Sequence, residues 1–383
     1  MASEDKGAWH ARFVRVLTVW TMVIHVPWAV AVGLALSGGL SGGLGWIALL
    51  VGVLAWLLPL LLLSPLVFDA LPDRPRSSFR VNLLERPYLV HWAATHVSAL
   101  GWLPGLILLP WKGDPWAWPL AAYVVALVAL GWGAFVTCRR LRIREIDLSV
   151  SGLPPEFIGY RIAHLSDLHV GSVTPPDLVA RWLERIRDVP VDLTVITGDL
   201  VTSGEAFHDP IADLVGMLES PDGVLFVPGN HDYFGDGLPL FRRLEARGVR
   251  VLRNEQVVLE RGEAKLVVAG MDDVWTRRGD VAASLRGREA GVTVLLAHDP
   301  AVFDEAASMG ADVMLSGHTH GGQIGVPGLA RFVNLTKMAN RYSLGVYRKG
   351  ASTLVVSGGM GCTGLPIRFG VPPEVLVIRL QRA

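Results

Sequence analysis

The first 140 residues alternate long apolar stretches with short polar connections. Four of these stretches reach the length of about 20 apolar residues that a bilayer requires, and they cover residues 16–36, 44–68, 89–110 and 116–137. Between Arg15 and Asp69 the sequence has no Asp, Glu, Lys or Arg, which does not suit soluble helices with one wet face. A cleaved signal peptide would have a single, shorter apolar core. We therefore predict a transmembrane domain of four helices over residues 1–140.

The basic residues of the connections predict how this domain is oriented. One side of the predicted membrane has Lys6, Arg12, Arg15, Arg74, Arg76, Arg80, Arg86, Arg139, Arg140, Arg142 and Arg144. The connections on the other side have only Lys112. Because Lys and Arg concentrate in cytoplasmic connections, we expect an integral, multi-pass protein of the inner or plasma membrane. Both termini and everything after residue 140 are expected in the cytoplasm.

From about residue 144 the pattern changes to short apolar runs separated by helical segments. YRIAHLSD, DLTVITGD, GVLFVPGN, KLVVAGMD, VTVLLAHD and DVMLSGH each end an apolar run with a polar or glycine-containing tip. The segment PPDLVARWLERIRD opens with proline, which the first turn of a helix tolerates. Alternating strands and helices indicate an α/β domain over residues 141–383, with sheets covered on both faces.

The tips of the predicted strands collect the ionisable side chains of this domain. In open α/β sheets, ligands bind beyond the carboxyl ends of strands. These tips supply carboxylates, an amide and imidazoles, from Asp167, His169, Asp199, Asn230, His231, Asp232, His298, His318 and His320. Oxygen and imidazole donors without a thiolate suit Mn, Fe or Zn, and a carboxylate can bridge two such ions. Residues i and i+2 of an extended chain share a face, so His318 and His320 can converge on one point, and both are predicted metal ligands.

The same tips carry a resemblance to a known family. D-x-H, G-D, G-N-H-D, A-H and G-H-T-H resemble the five-block signature of calcineurin-like metallophosphoesterases. GHTHGGQIG and the tail SGGMGCTGLPIRFGVPPEV are similar in particular to the YaeI/YkuE-like branch. The resemblance covers roughly residues 145–383 and leaves the membrane half out. It implies an α/β (α+β) fold, a four-layer αββα sandwich, here preceded by the four-helix transmembrane domain.

By this resemblance the tips hold two divalent metal ions. One ion would be bound by Asp167, His169, Asp199 and His320, and the second by Asp199, Asn230, His298 and His318. His231 would protonate the leaving oxygen or stabilise charge in the transition state, and Asp232 would orient His231. Outside this set, Arg368 is expected in a structural ion pair rather than on phosphate. Asp272 and Asp273 either support the site or form an ordinary turn.

The implied activity is the hydrolysis of phosphoric esters. Because the domain is tethered to a bilayer, we expect a phosphodiesterase or pyrophosphatase that acts on lipid-linked head groups at the cytoplasmic face. Two alternatives remain: the same chemistry on soluble nucleotides, or a membrane sensor or transporter that the esterase domain regulates. A formal net charge of zero gives no reason to expect nucleic-acid binding. The two cysteines, Cys138 and Cys362, imply no disulfide framework.

Overall fold

The computed structural model describes residues 3–37, 42–68, 75–99, 117–235 and 237–383. The chain forms two compact units. The first comprises Met1–Pro72 and Ser78–Gly131, and the second comprises Asp73–Ser77 and Trp132–Ala383.

The first unit is helical. Its helices are α1 (Ser3–Ser37), α2 (Gly42–Phe68), α3 (Ser78–Arg80), a π-helical turn (Val81–Glu85), α4 (Arg86–Ser98) and α5 (Ala117–Phe135). Within the described residues, three helical segments are long and apolar enough to cross a membrane: Arg12–Val30, Gly42–Phe68 and Trp118–Arg139. The third stretch predicted from the sequence begins in α4, and its residues 100–110 lie outside the described residues. Three of the four predicted spans are therefore present as long apolar helices.

Polar side chains inside these helices bond to one another across helix pairs. The indole Nε1–H of Trp92 in α4 donates to Thr21 Oγ1 in α1 over 2.9 Å, and Trp20 Nε1–H donates to His96 Nε2 over 2.9 Å. His91 Nδ1 and the hydroxyl of Tyr123 in α5 are 2.7 Å apart. Because an apolar environment offers no water to such groups, these bonds satisfy them and hold the helices together.

The first sheet of the second unit has six strands. They are β1 (Arg142–Val150), β2 (Arg161–Leu165), β3 (Leu193–Thr197), β4 (Val224–Val227), β5 (Val249–Val251) and β12 (Glu374–Arg382), and the spatial order is β1-β12-β2-β3-β4-β5. Strands β2 to β5 are parallel, and β12 pairs with β1 in parallel and with β2 in antiparallel register. The carboxyl ends of β2, β3 and β4 therefore lie along one edge.

The second sheet also has six strands. They are β6 (Glu255–Arg261), β7 (Ala264–Gly270), β8 (Val292–Leu296), β9 (Val313–Ser316), β10 (Gly345–Lys349) and β11 (Ser352–Val356), in the order β10-β11-β9-β8-β7-β6. Strands β7, β8, β9 and β11 are parallel, and β6 and β10 close the edges in antiparallel register. Every residue of β3, β4, β8 and β9 is buried, as the continuous apolar runs predicted.

Helices cover the outer face of each sheet. Helices α6 (Pro176–Arg187), α7 (His208–Gly216) and α8 (Gly237–Glu245) pack on the first sheet. Helices α9 (Val281–Leu285) and α10 (Phe303–Ser308) pack on the second. A third apolar core joins side chains of both sheets face to face. The predicted four-layer αββα sandwich is confirmed.

Candidate metal centre

The predicted site residues follow strands of both sheets at their carboxyl ends. Asp167 and His169 come after β2, Asp199 after β3 and Asn230 after β4 in the first sheet. The remaining predicted ligands follow β8 and β9 of the second sheet and are His298, His318 and His320. The two sheets thus each contribute part of one cluster.

One group of potential ligands comprises Asp167, His169, Asp199 and His320. All four side chains are buried, and each offers one donor atom within 4.8 Å of the others. His320 Nε2 lies 3.3 Å from Asp167 Oδ1, and His169 Nε2 lies 3.4 Å from Asp199 Oδ2. The two imidazole Nε2 atoms are 2.9 Å apart. Two carboxylates and two imidazoles at these distances suit one divalent cation.

A second group shares one carboxylate with the first. Asp199, His298 and His318 also offer one donor atom each within 4.8 Å. His298 Nε2 lies 3.2 Å from Asp199 Oδ2 and 3.2 Å from His318 Nδ1. Because Asp199 belongs to both groups, its carboxylate is positioned to bridge two cations.

The amide of Asn230 fits the same chemistry. Asn230 is 8% exposed, and its Oδ1 atom is buried without a hydrogen-bond partner in the described part of the chain. A buried carbonyl oxygen without a partner is costly, because it has lost its hydrogen bonds to water. A divalent cation would satisfy it, so the donor set and this amide oxygen both fit a bound metal.

The backbone at these tips is strained. Eight described residues other than glycine have a φ between +44° and +67°. Five of them are predicted ligands, namely Asp167 (+53°), His169 (+44°), Asp199 (+56°), His318 (+67°) and His320 (+51°). Residues with side chains avoid this left-handed region, and such strain concentrates where function over-determines the conformation.

Two glycines of the motifs are required by close approach of the ligands. A Cβ atom on Gly317 would lie 2.2 Å from Asp167 Oδ2 and 1.9 Å from Ser166 Oγ. A Cβ atom on Gly229 would lie 2.2 Å from Asp199 Oδ1. All three distances are far shorter than any van der Waals contact, so the glycines of the G-H and G-N pairs have a steric cause.

The charges of the cluster are coupled through Asp199. Burial alone lowers the pKa of His298, but the charge of Asp199 and a hydrogen bond to it outweigh burial and raise that pKa to about 10. Burial, together with the charge of Asp199, raises the pKa of Asp167 to about 6. In the protein alone, a proton on His298 thus neutralises part of the carboxylate charge. A cation bound there would take the place of that proton.

A backbone carbonyl fixes the ring of His298. The ring donates Nδ1–H to the carbonyl of Thr197 over 2.7 Å, which leaves Nε2 aimed at Asp199. Hydrogen bonds of this kind select the tautomer and orientation of a metal-binding histidine.

His231 lies beside the two groups rather than within either. Its backbone N–H donates to Asp199 Oδ1 over 2.9 Å, and its ring meets that of His169 edge-on, with centroids 4.6 Å apart. Its Nδ1–H donates to the carbonyl of Thr202 over 2.6 Å. The ring is partly exposed, and Nε2 remains available to a substrate.

Asp232 contacts backbone N–H groups, whereas the sequence predicted a contact with the ring of His231. Its carboxylate accepts backbone N–H groups from Asp199 and Gly229 at 2.9 Å and from Leu200 at 2.8 Å. Burial, then the charge of Asp199, raises its pKa to about 7. The orienting contact to His231 that the sequence assigned to Asp232 comes instead from Thr202. A main-chain carbonyl leaves no signal in a sequence, and this contact was missed.

Arg368 is fully buried, and among the described residues it has no partner in an ion pair. Its Nε and Nη1 atoms donate over 2.8 Å to the carbonyls of Gly361 and Gly358, and Nη1 also reaches the carbonyl of Val371 at 3.3 Å. Its Nη2 atom lies 3.2 Å from His320 Nδ1. The guanidinium therefore fixes the loop that follows β11 and touches a predicted ligand. The expectation of an ion pair for Arg368 is wrong.

Asp272 and Asp273, which follow β7, form hydrogen bonds and an ion pair with residues near the candidate metal centre. Asp272 accepts the hydroxyl of Tyr233 at 2.7 Å and pairs with Arg253 at 2.9 Å. Asp273 accepts the backbone N–H of Thr276 at 2.7 Å. This turn carries Trp275, whose exposed ring lies 5.3 Å from that of His318. The sequence motif MDDVW placed an aromatic residue here, but sequence reasoning did not connect it with the site.

Comparison with known proteins gives one answer. Residues 160–322 match the profile of the calcineurin-like phosphoesterase family. The Bacillus subtilis metallophosphoesterase YkoQ is 34% identical over 268 residues, which cover 67% of this chain and 96% of YkoQ. YkuE of the same organism is 29% identical over 256 residues, which cover 66% of this chain and 89% of YkuE. A Danio rerio transmembrane protein with a metallophosphoesterase domain is 30% identical over 279 residues, covering 69% of this chain and 62% of that protein. The chain belongs to the calcineurin-like phosphoesterase family.

Proposed function

We propose that this metal-dependent phosphoester hydrolase holds two divalent cations, Mn, Fe or Zn, and acts on lipid-linked phosphodiesters or pyrophosphates at the cytoplasmic face of a membrane. Residues 1–140 would form the multi-pass anchor and residues 141–383 the catalytic domain. One observation carries the proposal: the carboxylate of Asp199 belongs to both groups of potential metal ligands.

The ligand sets follow from the two groups. Asp167, His169, Asp199 and His320 would hold one cation; Asp199, His298 and His318, with the amide oxygen of Asn230, would hold the other. Paired cations supply Lewis-acid stabilisation of the charge that develops on the oxygens around phosphorus. The protein would contribute seven donors from distant sequence positions, six of them on buried residues and the seventh on the half-buried His318.

His231 is the residue that we propose exchanges a proton with the substrate. The carbonyl of Thr202 holds Nδ1–H at 2.6 Å, so a second proton on the ring resides at Nε2. From there it can pass to the oxygen that leaves phosphorus. Because the backbone N–H of His231 is fixed to Asp199 Oδ1, the imidazole is held against the candidate metal centre.

The predicted membrane anchor supports lipid-linked substrates and a catalytic domain on the cytoplasmic side. Eleven of the twelve Lys and Arg residues in and beside the predicted connections lie on one side, which favours a cytoplasmic catalytic domain. The Danio rerio relative is named as a transmembrane protein with a metallophosphoesterase domain, and a similar arrangement is proposed for this chain. A hydrolase held at a bilayer meets lipid head groups at high local concentration.

The test of the metal centre uses the full-length protein in detergent. With Mn²⁺ we expect hydrolysis of bis(p-nitrophenyl) phosphate, and bound metal measured by mass spectrometry should approach two ions per chain. Asp199→Ala and His318→Ala should abolish turnover while the protein still folds. Asp177→Asn is the matched control, because Asp177 is an exposed carboxylate on α6. Unchanged turnover in both ligand variants would reject the proposal.

Substrate class and orientation need separate experiments. A panel of lipid-linked pyrophosphates, lipid phosphodiesters and soluble nucleotides should show higher kcat/KM for a lipid-linked member. A preference for a nucleotide would favour the soluble-substrate alternative. A reporter fused to the carboxyl terminus should be active only in the cytoplasm, and activity on the other side would overturn the orientation.

A further inference from the structure

One surface segment concentrates the exposed apolar side chains of the second unit. Among the described residues after 140, twelve large apolar side chains are exposed, and six lie within residues 326–338, here called the apolar loop. They are Val326, Leu329, Phe332, Val333, Leu335 and Met338. A patch of this kind on a soluble surface marks a place of contact with a partner or a membrane.

The apolar loop is internally ordered, so this exposure is a feature of its fold. Asn334 is buried; its amide nitrogen donates to the carbonyl of Ala330 at 2.7 Å, and its Oδ1 accepts the N–H of Thr336 at 3.0 Å. Ala330 packs in a small core with Leu344 and Val371. Ala330 and Asn334 of the segment therefore face inward, and the large apolar side chains face outward.

Basic residues surround the apolar loop without acidic ones between them. From His320 to Ser352 the sequence has Arg331, Lys337, Arg341, Arg348 and Lys349 and no Asp or Glu. Arg331, Arg341, Arg348 and Lys349 line an open cavity of about 1040 Å³ together with Tyr342, Val346, Tyr347 and one carboxylate, Asp304. Asp304 pairs with Arg341 and Lys349. The cavity therefore keeps a net positive charge beside the apolar loop.

The inner side of the same segment reaches the candidate metal centre. A smaller cavity of about 220 Å³ is lined by His318, His320 and Gln323, by Thr336 of the apolar loop and by Asn340 just beyond it. Leu335 directly precedes Thr336, and Met338 lies two residues from Thr336 and two from Asn340. Both side chains are exposed, Met338 completely. Whatever covers the apolar loop is therefore adjacent to the opening of the metal centre.

We propose that the apolar loop inserts its side chains into the interfacial layer of an anionic bilayer, while the basic cavity binds the phosphate of a lipid head group. Apolar and aromatic side chains flanked by Lys and Arg bind membranes in this way, and the binding strengthens with anionic lipid. Docking itself does not depend on the metal chemistry. As a consequence, it would place the metal centre at the head-group layer, which deepens the proposed function.

The charges and the tether favour a bilayer over a second copy of the chain. Five basic residues against the single carboxylate of Asp304 leave a net positive surface, which would repel the same surface of another copy, whereas anionic head groups attract it. The chain passes from the apolar segment Trp118–Arg139 to β1 at Arg142. The second unit is therefore covalently held beside any membrane that this segment crosses, and weak interfacial contacts suffice to dock it.

The test places fluorescent probes on the full-length protein in lipid nanodiscs. An environment-sensitive dye is attached to Phe332→Cys and, in a separate sample, to Met338→Cys, whose side chain is fully exposed and carries no packing. Met217→Cys is the matched control, because Met217 is exposed at the end of α7 on the outer face of the first sheet. Native Cys138 and Cys362 are buried.

In discs that contain phosphatidylglycerol, we expect dyes at 332 and 338 to shift to the blue and to be quenched by lipids brominated on the acyl chain. The dye at 217 should be quenched by aqueous iodide instead. Replacing Arg341, Arg348 and Lys349 by Gln, or using phosphatidylcholine alone, should reduce lipid quenching several-fold.

Two outcomes would overturn the proposal. If iodide quenches the dyes at 332 and 338 as strongly as the dye at 217, the apolar loop faces water. If they are shielded from iodide but not quenched by brominated lipid, a protein surface covers the loop. Hydrolysis of bis(p-nitrophenyl) phosphate by the same samples reports the metal centre separately, so failure of docking and failure of the proposed function are distinguishable.

Discussion

Arg368 offers the sharpest test of how the protein builds this site. The guanidinium is fully buried and donates to the carbonyls of Gly358 and Gly361 at 2.8 Å and of Val371 at 3.3 Å. Replacing Arg368 by Met keeps most of the side-chain volume and removes every donor. The carbonyls of Gly358 and Gly361 would then be buried without partners.

The magnitude follows from these contacts. Each buried carbonyl left without a partner costs about 1–3 kcal/mol, so the two close bonds together are worth about 2–6 kcal/mol. Part of this destabilisation is offset, because Met also removes the cost of burying a cation. We therefore expect the Arg368→Met second unit to lose about 3 kcal/mol of unfolding free energy, or roughly 6–12 °C in apparent melting temperature for a domain of this size. Arg368→Lys should lose less unfolding free energy than Arg368→Met but should remain less stable than the wild type, because one ammonium cannot reproduce the planar set of donors.

The assay is proteolysis of the full-length protein across a urea series, which reports the fraction of the second unit that is unfolded. Arg379→Met is the matched control, because it makes the same chemical change in an exposed pair with Asp147, where no resolvable loss is expected. A second readout is bound metal, since Gly361 N–H donates to the carbonyl of Asp167 at 2.6 Å and ties the loop to a predicted ligand. Equal urea midpoints for Arg368→Met and the wild type would refute the reasoning.

Three further expectations concern the metal centre itself. Gly317→Ala should lose bound metal and turnover, because its Cβ would lie 2.2 Å from Asp167 Oδ2; metal analysis checks this, and full metal content would contradict it. His231→Gln should keep its metal and lower kcat by about 10²–10⁴ for alkyl leaving groups but much less for p-nitrophenol; equal losses for both would exclude proton transfer by His231. Chelation by EDTA should lower the melting temperature of the second unit and Mn²⁺ should restore it, because ions that bind only the folded state stabilise it; an unchanged melting curve would argue against a buried site.

The sequence was sufficient to predict which strand tips meet, because the cause is local. Five of the six apolar runs end at a predicted ligand, KLVVAGMD being the exception, and parallel strands place their carboxyl ends along one edge. Asp167 and Asp199 follow adjacent strands β2 and β3 in this way. The type of fold is likewise set by buried runs such as VTVLL of β8.

The sequence pattern did not predict contacts made by main-chain atoms or pairings between segments far apart in the chain. The carbonyl of Thr202 that holds His231 could belong to any residue type. Cys138 and Cys362, 224 positions apart, bring their sulfur atoms within 3.3 Å, and β1 pairs with β12 across a similar separation. Periodicity describes one segment at a time, so it does not determine which distant segments become neighbours.

The positive φ angles give Asp232 a role that the motif alone does not reveal. Left-handed conformations cost about 1–2 kcal/mol per residue, so five strained ligands carry a cost comparable with the stability of an ordinary domain. Hydrogen bonds to the backbone of the same residues oppose that cost: Asp167 N–H donates to the carbonyl of Gly198 and His169 N–H to that of Asp199. For Asp199 itself the acceptor is the carboxylate of Asp232, which also takes the N–H groups of Leu200 and Gly229. Asp232 therefore holds the backbone of Asp199 in its strained conformation. If the proposed roles of Asn230 and His231 hold, the G-N-H-D motif would join a metal ligand, a proton donor and a backbone support.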